Sequence, residues 1–164
     1  MLVSVAMPAM IIFSSGPFLD AKALTSFAQL RADNVLPAIG ESYRIEITMS
    51  ENRWHVRYPG AQPAESGGLA VQDIHVPSET NIVFVLKSTD YAYTLELPQY
   101  GTKEIAVPDL TFQMEFSSSA PGRFELVGDQ WCGDPHTDLQ GQLVVETPEH
   151  FLEWLKESSF ESAD

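Results

Sequence analysis

Cys132 and His136 stand four positions apart in the segment Gly128-Asp129-Gln130-Trp131-Cys132-Gly133-Asp134-Pro135-His136-Thr137-Asp138-Leu139. A thiolate and an imidazole at that spacing, on a connection between two neighbouring strands, can converge on one soft or borderline metal, because a sheet holds both ends of the loop. Two protein ligands leave an open site of modest affinity. The same two residue types also read as a buried thiol beside a surface histidine. Cys132 is the sole cysteine, which excludes an internal disulfide framework and any multi-cysteine zinc site. Other candidates carry less. His75 reads as an ordinary strand residue, His55 as a solvent-facing residue out of phase with Trp54, Val56 and Tyr58, and His150 as a surface residue on a helix. Tyr91 and Tyr93 read as packing aromatics, with a phenolate ligand the lesser alternative.

These residues must be positioned by strands. From Tyr43 apolar residues recur with period two: Tyr43, Ile45, Ile47 and Met49, a turn, then Trp54, Val56 and Tyr58 before Pro59-Gly60. Further strands are predicted over 73–76, 81–86, 91–97, 110–116 (Leu110, Phe112, Met114 and Phe116 on one face), 123–127 and 142–146, with 61–68 a Pro/Gly/Ser loop. Short strands separated by turn residues describe a β-sandwich or small barrel. Thr147-Pro148-Glu149 provides an N-cap with proline at the first helical position, opening a short helix through Trp154 and Leu155. Glu149, Glu153, Glu157 and Glu161 make a solvated stripe along it. The buried set is expected to include Ile45, Ile47, Trp54, Val56, Phe84, Leu86, Phe112, Met114 and Phe124.

The 164 residues suit one domain with a short appendage. A formal net charge of −14 repels phosphate backbones and anionic headgroups, so nucleic acid is disfavoured as a partner, while a basic protein fits the field. The phosphate-cradling, dinucleotide, zinc-protease and nucleophile-elbow patterns are absent from the sequence. Met1 to Leu19 is mostly apolar, interrupted by Pro8 and Pro17, with Asp20 the first charge and Lys22 the first basic residue. It lacks the basic start of a secretory signal and the length of a spanning helix. It therefore reads either as the tail of a membrane helix or weak anchor, or as an apolar arm packed on the domain. The expected division is an N-terminal segment and linker over 1–40, a β domain over 41–158 and an acidic tail over 159–164.

From Tyr43 to Leu155 the chain resembles the soluble domain of subunit II of the heme-copper respiratory oxidases. Arg53-Trp54-His55-Val56-Arg57-Tyr58-Pro59-Gly60 is similar to the family's Trp-rich segment ending in Tyr-Pro, Asp73-Ile74-His75-Val76-Pro77 to its next strand, and Ser88-Thr89-Asp90 to its Ser-x-Asp before a ligand. Pro121-Gly122-Arg123-Phe124, Cys132-Gly133-x-x-His136 and Pro148-Glu149-x-Phe151-x-x-Trp154-Leu155 follow in the family's order. The resemblance implies an all-β, cupredoxin-like Greek-key sandwich with a short C-terminal helix, following an apolar N-terminal segment. It also implies a domain on the periplasmic or intermembrane-space side of an inner membrane, beside an oxidase catalytic subunit.

The departures bear on function. The family's dinuclear copper A centre uses Cys-x3-Cys-x3-His-x2-Met and an upstream histidine. Here Gly128 replaces the first cysteine, Leu139 the methionine and Tyr93 the upstream histidine, leaving Cys132, His136 and Gln130 at the carbonyl position. Two valence-sharing coppers require two bridging sulfurs, so no dinuclear copper A is expected, and the cofactor reduces to none or one copper ion. Asn52 stands where the family carries the tryptophan that accepts electrons from cytochrome c. The leading expectation is a subunit II-like scaffold resembling the quinol-oxidising branch, non-catalytic or electron-transferring, with a basic cytochrome as a further partner. The alternatives are a mononuclear copper electron carrier using Cys132 and His136, and a free-standing periplasmic binding module.

Overall fold

In the computed structural model the described residues are 41–59, 69–131 and 139–160. The segment 1–40, the residues Cys132 and His136, and the end of the acidic tail lie outside them. The period-two pattern forms β1 (Tyr43–Ser50) and β2 (Arg53–Arg57). In β1 the side chains of Tyr43, Ile45, Ile47 and Met49 are buried, and each neighbour between them is exposed or half-buried, as the pleat dictates. Glu51 and Asn52 turn the chain between the strands with φ of 51° and 59°. Two left-handed residues in a two-residue turn match the twist of the strands they join.

Eight more strands follow: β3 (Leu69–Val71), β4 (Asp73–Pro77), β5 (Asn81–Ser88), β6 (Tyr93–Leu97), β7 (Thr102–Ala106), β8 (Phe112–Ser117), β9 (Gly122–Gln130) and β10 (Gln140–Glu146). A 3-10 turn at Pro98–Tyr100 separates β6 from β7. One sheet has the order β3-β2-β1-β5-β8 and the other β4-β10-β9-β6-β7. The β1–β5 and β4–β10 pairs are parallel and the remaining pairs antiparallel. Ile45, Ile47, Trp54, Phe84, Leu86 and Met114 of the first sheet share one cluster with Ile74, Val76, Tyr93, Leu95, Leu126, Leu143 and Val145 of the second. Each large apolar side chain fully buried there is worth about 1.5–3 kcal/mol.

The helix α1 (Pro148–Phe160) closes the domain. Thr147 caps it: its hydroxyl accepts from the His150 N–H at 3.4 Å and its carbonyl from the Phe151 N–H at 2.9 Å. Phe151, Leu152 and Leu155 are buried, while Glu149, His150, Glu153 and Glu157 face solvent. Phe151 meets the Tyr43 ring edge-on at 5.7 Å and lies 6.0 Å from that of Tyr58. Among the described residues no helix is long and apolar enough to cross a membrane.

Several expectations change. β3 and β7 have no counterpart in the alternation; β7 is an edge strand of sequence Thr-Lys-Glu-Ile-Ala, whose charges suit an unpaired margin better than they display a buried face. Leu110 leaves the strand predicted for it, because Asp109 takes a φ of 64° and the Leu110 N–H bonds to the Val107 carbonyl in a turn. Phe112 and Phe124 are half-buried against the core instead of within it. β6 starts at Tyr93 and not at Tyr91, and β9 runs to Gln130, so Gly128 and Gln130 are strand residues, not loop residues.

Candidate functional site

One end of the sandwich gathers the β1–β2 turn, the β5–β6 connection, the last residues of β9 and Leu139. The Trp131 N–H donates to the Ala92 carbonyl at 2.8 Å and the Thr89 N–H to that of Met49 at 3.1 Å, tying the connection to both sheets. Gly128 lies opposite Leu95 and Gln130 opposite Tyr93 in the β6–β9 ladder. The Gln140 side-chain amide donates to the Gly128 carbonyl at 2.9 Å.

The positions that depart from the family's ligands are filled by packing. A Cβ built on Gly128 falls 2.1 Å from Cζ2 of Trp54, 2.7 Å from its Cη2 and 2.6 Å from the Leu139 carbonyl oxygen. Trp54 is fully buried, and its indole Nε1 has no hydrogen-bond partner among the described residues. Leu139 is fully buried as well. A side chain at 128, the cysteine of a bridging pair included, therefore needs the Trp54 ring and the Leu139 carbonyl to shift.

The Tyr93 hydroxyl donates to Asn52 Oδ1 at 3.3 Å and accepts from the Asn52 N–H at 3.4 Å. The two residues that the sequence resemblance sets against the family's upstream histidine and electron-accepting tryptophan are thus bonded to one another. Burial foremost, with the nearby Asp90 carboxylate adding to it, pushes the Tyr93 phenol up to about 12. Asp90 itself accepts from the Glu51 N–H at 2.7 Å and the Tyr91 N–H at 2.8 Å. Partial burial opposes its charge, yet these donors and the Tyr93 hydroxyl hold its carboxyl below the ordinary range.

The remaining histidines take no part in the bonds described above. His75 in β4 stacks on Trp154 of α1 at 4.0 Å and 5°, its Nδ1 3.3 Å from Glu146 Oε2 but off the line of a hydrogen bond, and its backbone N–H donates to the Tyr58 hydroxyl at 3.0 Å. His55 is half-buried on β2 and His150 is exposed at the start of α1. Among the described residues no three His, Cys, Asp or Glu side chains gather where they could hold a metal. Gln130 ends β9 with its N–H donating to the Asp129 carboxylate at 2.8 Å. Sequence reasoning missed the Trp54–Gly128 contact and the Asn52–Tyr93 bond. Neither has a local signal, since each joins residues far apart in sequence, Asn52 and Tyr93 being 41 positions apart.

Three large apolar side chains of the described residues are exposed: Tyr91 at 58%, Leu110 at 55% and Trp131 at 59%. All three belong to this end. Tyr91 accepts through its carbonyl from the Ser88 hydroxyl, Ser88 bridges to Pro108 beside the turn that carries Leu110, and Trp131 bonds to Ala92.

With two sheets, parallel β1–β5 and β4–β10 pairs and a closing helix, the chain has the architecture of a cupredoxin-like domain. It aligns with the periplasmic domain of cytochrome oxidase subunit II (CoxB) of Bradyrhizobium japonicum at a TM-score of 0.63 and 19% identity, over 77% of this chain and 100% of that one. The structure of a subunit II domain in mixed disulfide with thioredoxin-like TlpA aligns at 0.64 and 20%, over 79% and 100%. In sequence it is similar to cytochrome c oxidase subunit 2 of Thermostichus vulcanus, 24% identical over 70% of this chain and 33% of that protein. The proteins of the same name from Alkalihalophilus pseudofirmus (25%, over 76% and 35%) and Myxine glutinosa (33%, over 50% and 36%) are similar too. No family model matches the chain. The motif resemblance is thus a sequence relationship to cytochrome c oxidase subunit 2, and this chain spans about a third of the length of those relatives.

Proposed function

We propose that the chain is a subunit II-like component of a respiratory heme-copper oxidase or reductase, in which the cupredoxin-like domain is a scaffold beside the membrane catalytic subunit and lacks an intact dinuclear copper centre. The observation that carries this reading is the Trp54 ring seated against Gly128, where a bridging thiolate would stand. A domain end that keeps the family's fold while a glycine, a phenol and a leucine stand at its ligand positions supports a requirement for a shape and not for a redox potential. The exposed Tyr91, Leu110 and Trp131 at that end support a protein partner there, since large apolar side chains are seldom grouped on a free surface. The domain then lies on the periplasmic side of the inner membrane, and the quinol-oxidising branch is the nearest functional parallel. The copper content is none or one ion, the latter on Cys132 and His136; a basic cytochrome is the further partner that the charge of −14 favours.

The test is affinity isolation of the full-length chain from detergent-solubilised membranes, followed by heme spectra and metal analysis. Co-isolation with a heme-bearing catalytic subunit at fewer than two coppers per chain is expected. Two coppers per chain with a mixed-valence resonance, or isolation without any heme subunit, overturns the reading.

A further inference from the structure

The outer face of the first sheet is basic, on a chain whose total charge is −14. In β2 the core-facing Trp54 and Val56 alternate with Arg53, His55 and Arg57, which point the other way. The ladders set these three beside Ser50, Thr48 and Glu46 of β1, and β5 adds Lys87 opposite Thr48. Nine Lys and Arg occur in the chain, of which Lys22 and Arg31 lie outside the described residues, so Arg44, Arg53, Arg57 and Lys87 are four of the remaining seven. Glu46 and, on β8, Glu115 are the carboxylates of the same face. Four cations against two carboxylates give the face +2, which leaves −16 on the rest of the chain. Arg44, Arg53 and Arg57 are exposed and form no ion pair among the described residues, while Lys87 stands 3.8 Å from Glu46. Lys103 and Arg123, elsewhere, are paired with Glu96 at 3.0 Å and Asp73 at 3.3 Å. The helix α1 packs on β4 and β10, and the 3-10 turn on β7 and β9, all in the second sheet. Val83 and Val85 in the middle of the basic face are buried, so what it offers a partner is charge and not apolar area.

The four cations fall one to a row. Arg53 lies in the row of Ser50, Lys87 in that of Thr48, Arg57 in that of Glu46, and Arg44 begins the next. Successive rows on one face are two residues apart, about 6.6 Å, which is also the spacing of alternate side chains in an extended chain. We infer that this face is a docking surface for an extended acidic segment of a partner protein, with carboxylates at alternate positions. At physiological salt a charge is screened over about 8 Å. A narrow segment laid along the strands therefore meets the basic face alone, whereas a bilayer or a nucleic acid duplex reaches past it to the acidic remainder. The inference rests on the charges of the sheet and not on the subunit II-like reading, so failure of the membrane co-isolation leaves it standing.

The experiment is fluorescence anisotropy of a labelled peptide of alternating Glu and Thr, titrated at low ionic strength with the purified full-length chain. Saturable binding is expected in spite of the net charge of −14, and none for the same peptide made of Gln and Thr. Exposed ion pairs are weak singly, so Arg44→Gln, Arg53→Gln and Arg57→Gln together are expected to weaken binding by about tenfold, and Arg123→Gln alone to leave it unchanged. Glu46→Gln removes the carboxylate beside Lys87 and Arg57 and is expected to tighten binding by about threefold, which decides the matter where the triple variant fails to fold. No saturable binding, equal affinity in a triple variant that keeps its melting temperature, or no gain with Glu46→Gln overturns the inference. So does binding to phosphatidylglycerol vesicles, or a dimer in sedimentation, that the triple variant abolishes, since the occupant is then a lipid surface or a second copy of the chain.

Discussion

Trp54→Ala tests whether the core or a metal holds this end of the sandwich. Truncating a buried Trp to Ala costs about 3–5 kcal/mol, with the higher values where the walls cannot collapse. Two features of the site act in opposite directions. Gly128 offers no side chain to lean into the void, which favours the upper end of the range. The buried Nε1 has no partner among the described residues, so its removal recovers desolvation worth about 1–3 kcal/mol. The net loss is therefore set at about 3 kcal/mol, or about 10–15 °C in Tm for a domain of this size. Circular dichroism melts and urea unfolding at constant m would measure it. The same melts with and without a strong copper and zinc chelator should coincide for the unmodified chain. A loss below about 1 kcal/mol, or a chelator effect as large as that of Trp54→Ala, would refute the argument that apolar packing holds the ligand end.

Phe151→Ala should cost about 3–5 kcal/mol in urea unfolding, since this fully buried ring meets Tyr43, Tyr58 and Trp154 at once; a near-neutral result would mean that α1 is dispensable. Tyr93→Phe should cost about 1 kcal/mol, because its hydrogen bonds to Asn52 are long, and Tyr93→Phe with Asn52→Ala should lose less than the sum of the single changes. The Asp90 carboxyl, followed by NMR, should titrate below the ordinary value of about 3.9. Its contribution to stability is then complete above that value and is lost as pH falls through the lower folded value; solvent screening keeps it small, and Asp90→Ala should flatten the acid slope there. An unshifted midpoint would contradict the hydrogen-bond account.

Much of the architecture is legible in the sequence, for a physical reason in each case. β1 and β2 show their period because one face of each meets the opposite sheet and the other meets water. The start of α1 is legible because a threonine cap and a proline at the first turn act locally. β7 is not, since an edge strand has no buried outer neighbour to enforce alternation. At the candidate site the substituted ligands Gly128, Tyr93 and Leu139 can be read from their place among the motifs. What cannot be read is that Trp54 fills the place left at 128, because the contact joins residues on opposite sheets and has no local pattern.

The two parallel pairs also govern how the chain can reach its fold. β4 finds its ladder partner only in β10, and Asp73, which sits opposite Gln142, accepts a hydrogen bond from a backbone amide 69 residues away. β1 must likewise wait for β5 across the whole of β2, β3 and β4. Closing such long loops costs entropy before any pairing repays it, so folding belongs to the slower, milliseconds-to-seconds class of β-rich domains. The N-terminal strands leave the ribosome with apolar faces whose cover, the second sheet, is complete only when β10 is made. A truncation anywhere before Gln140 should leave β4 without any strand to pair with, and an extended, protease-sensitive chain in place of a smaller domain.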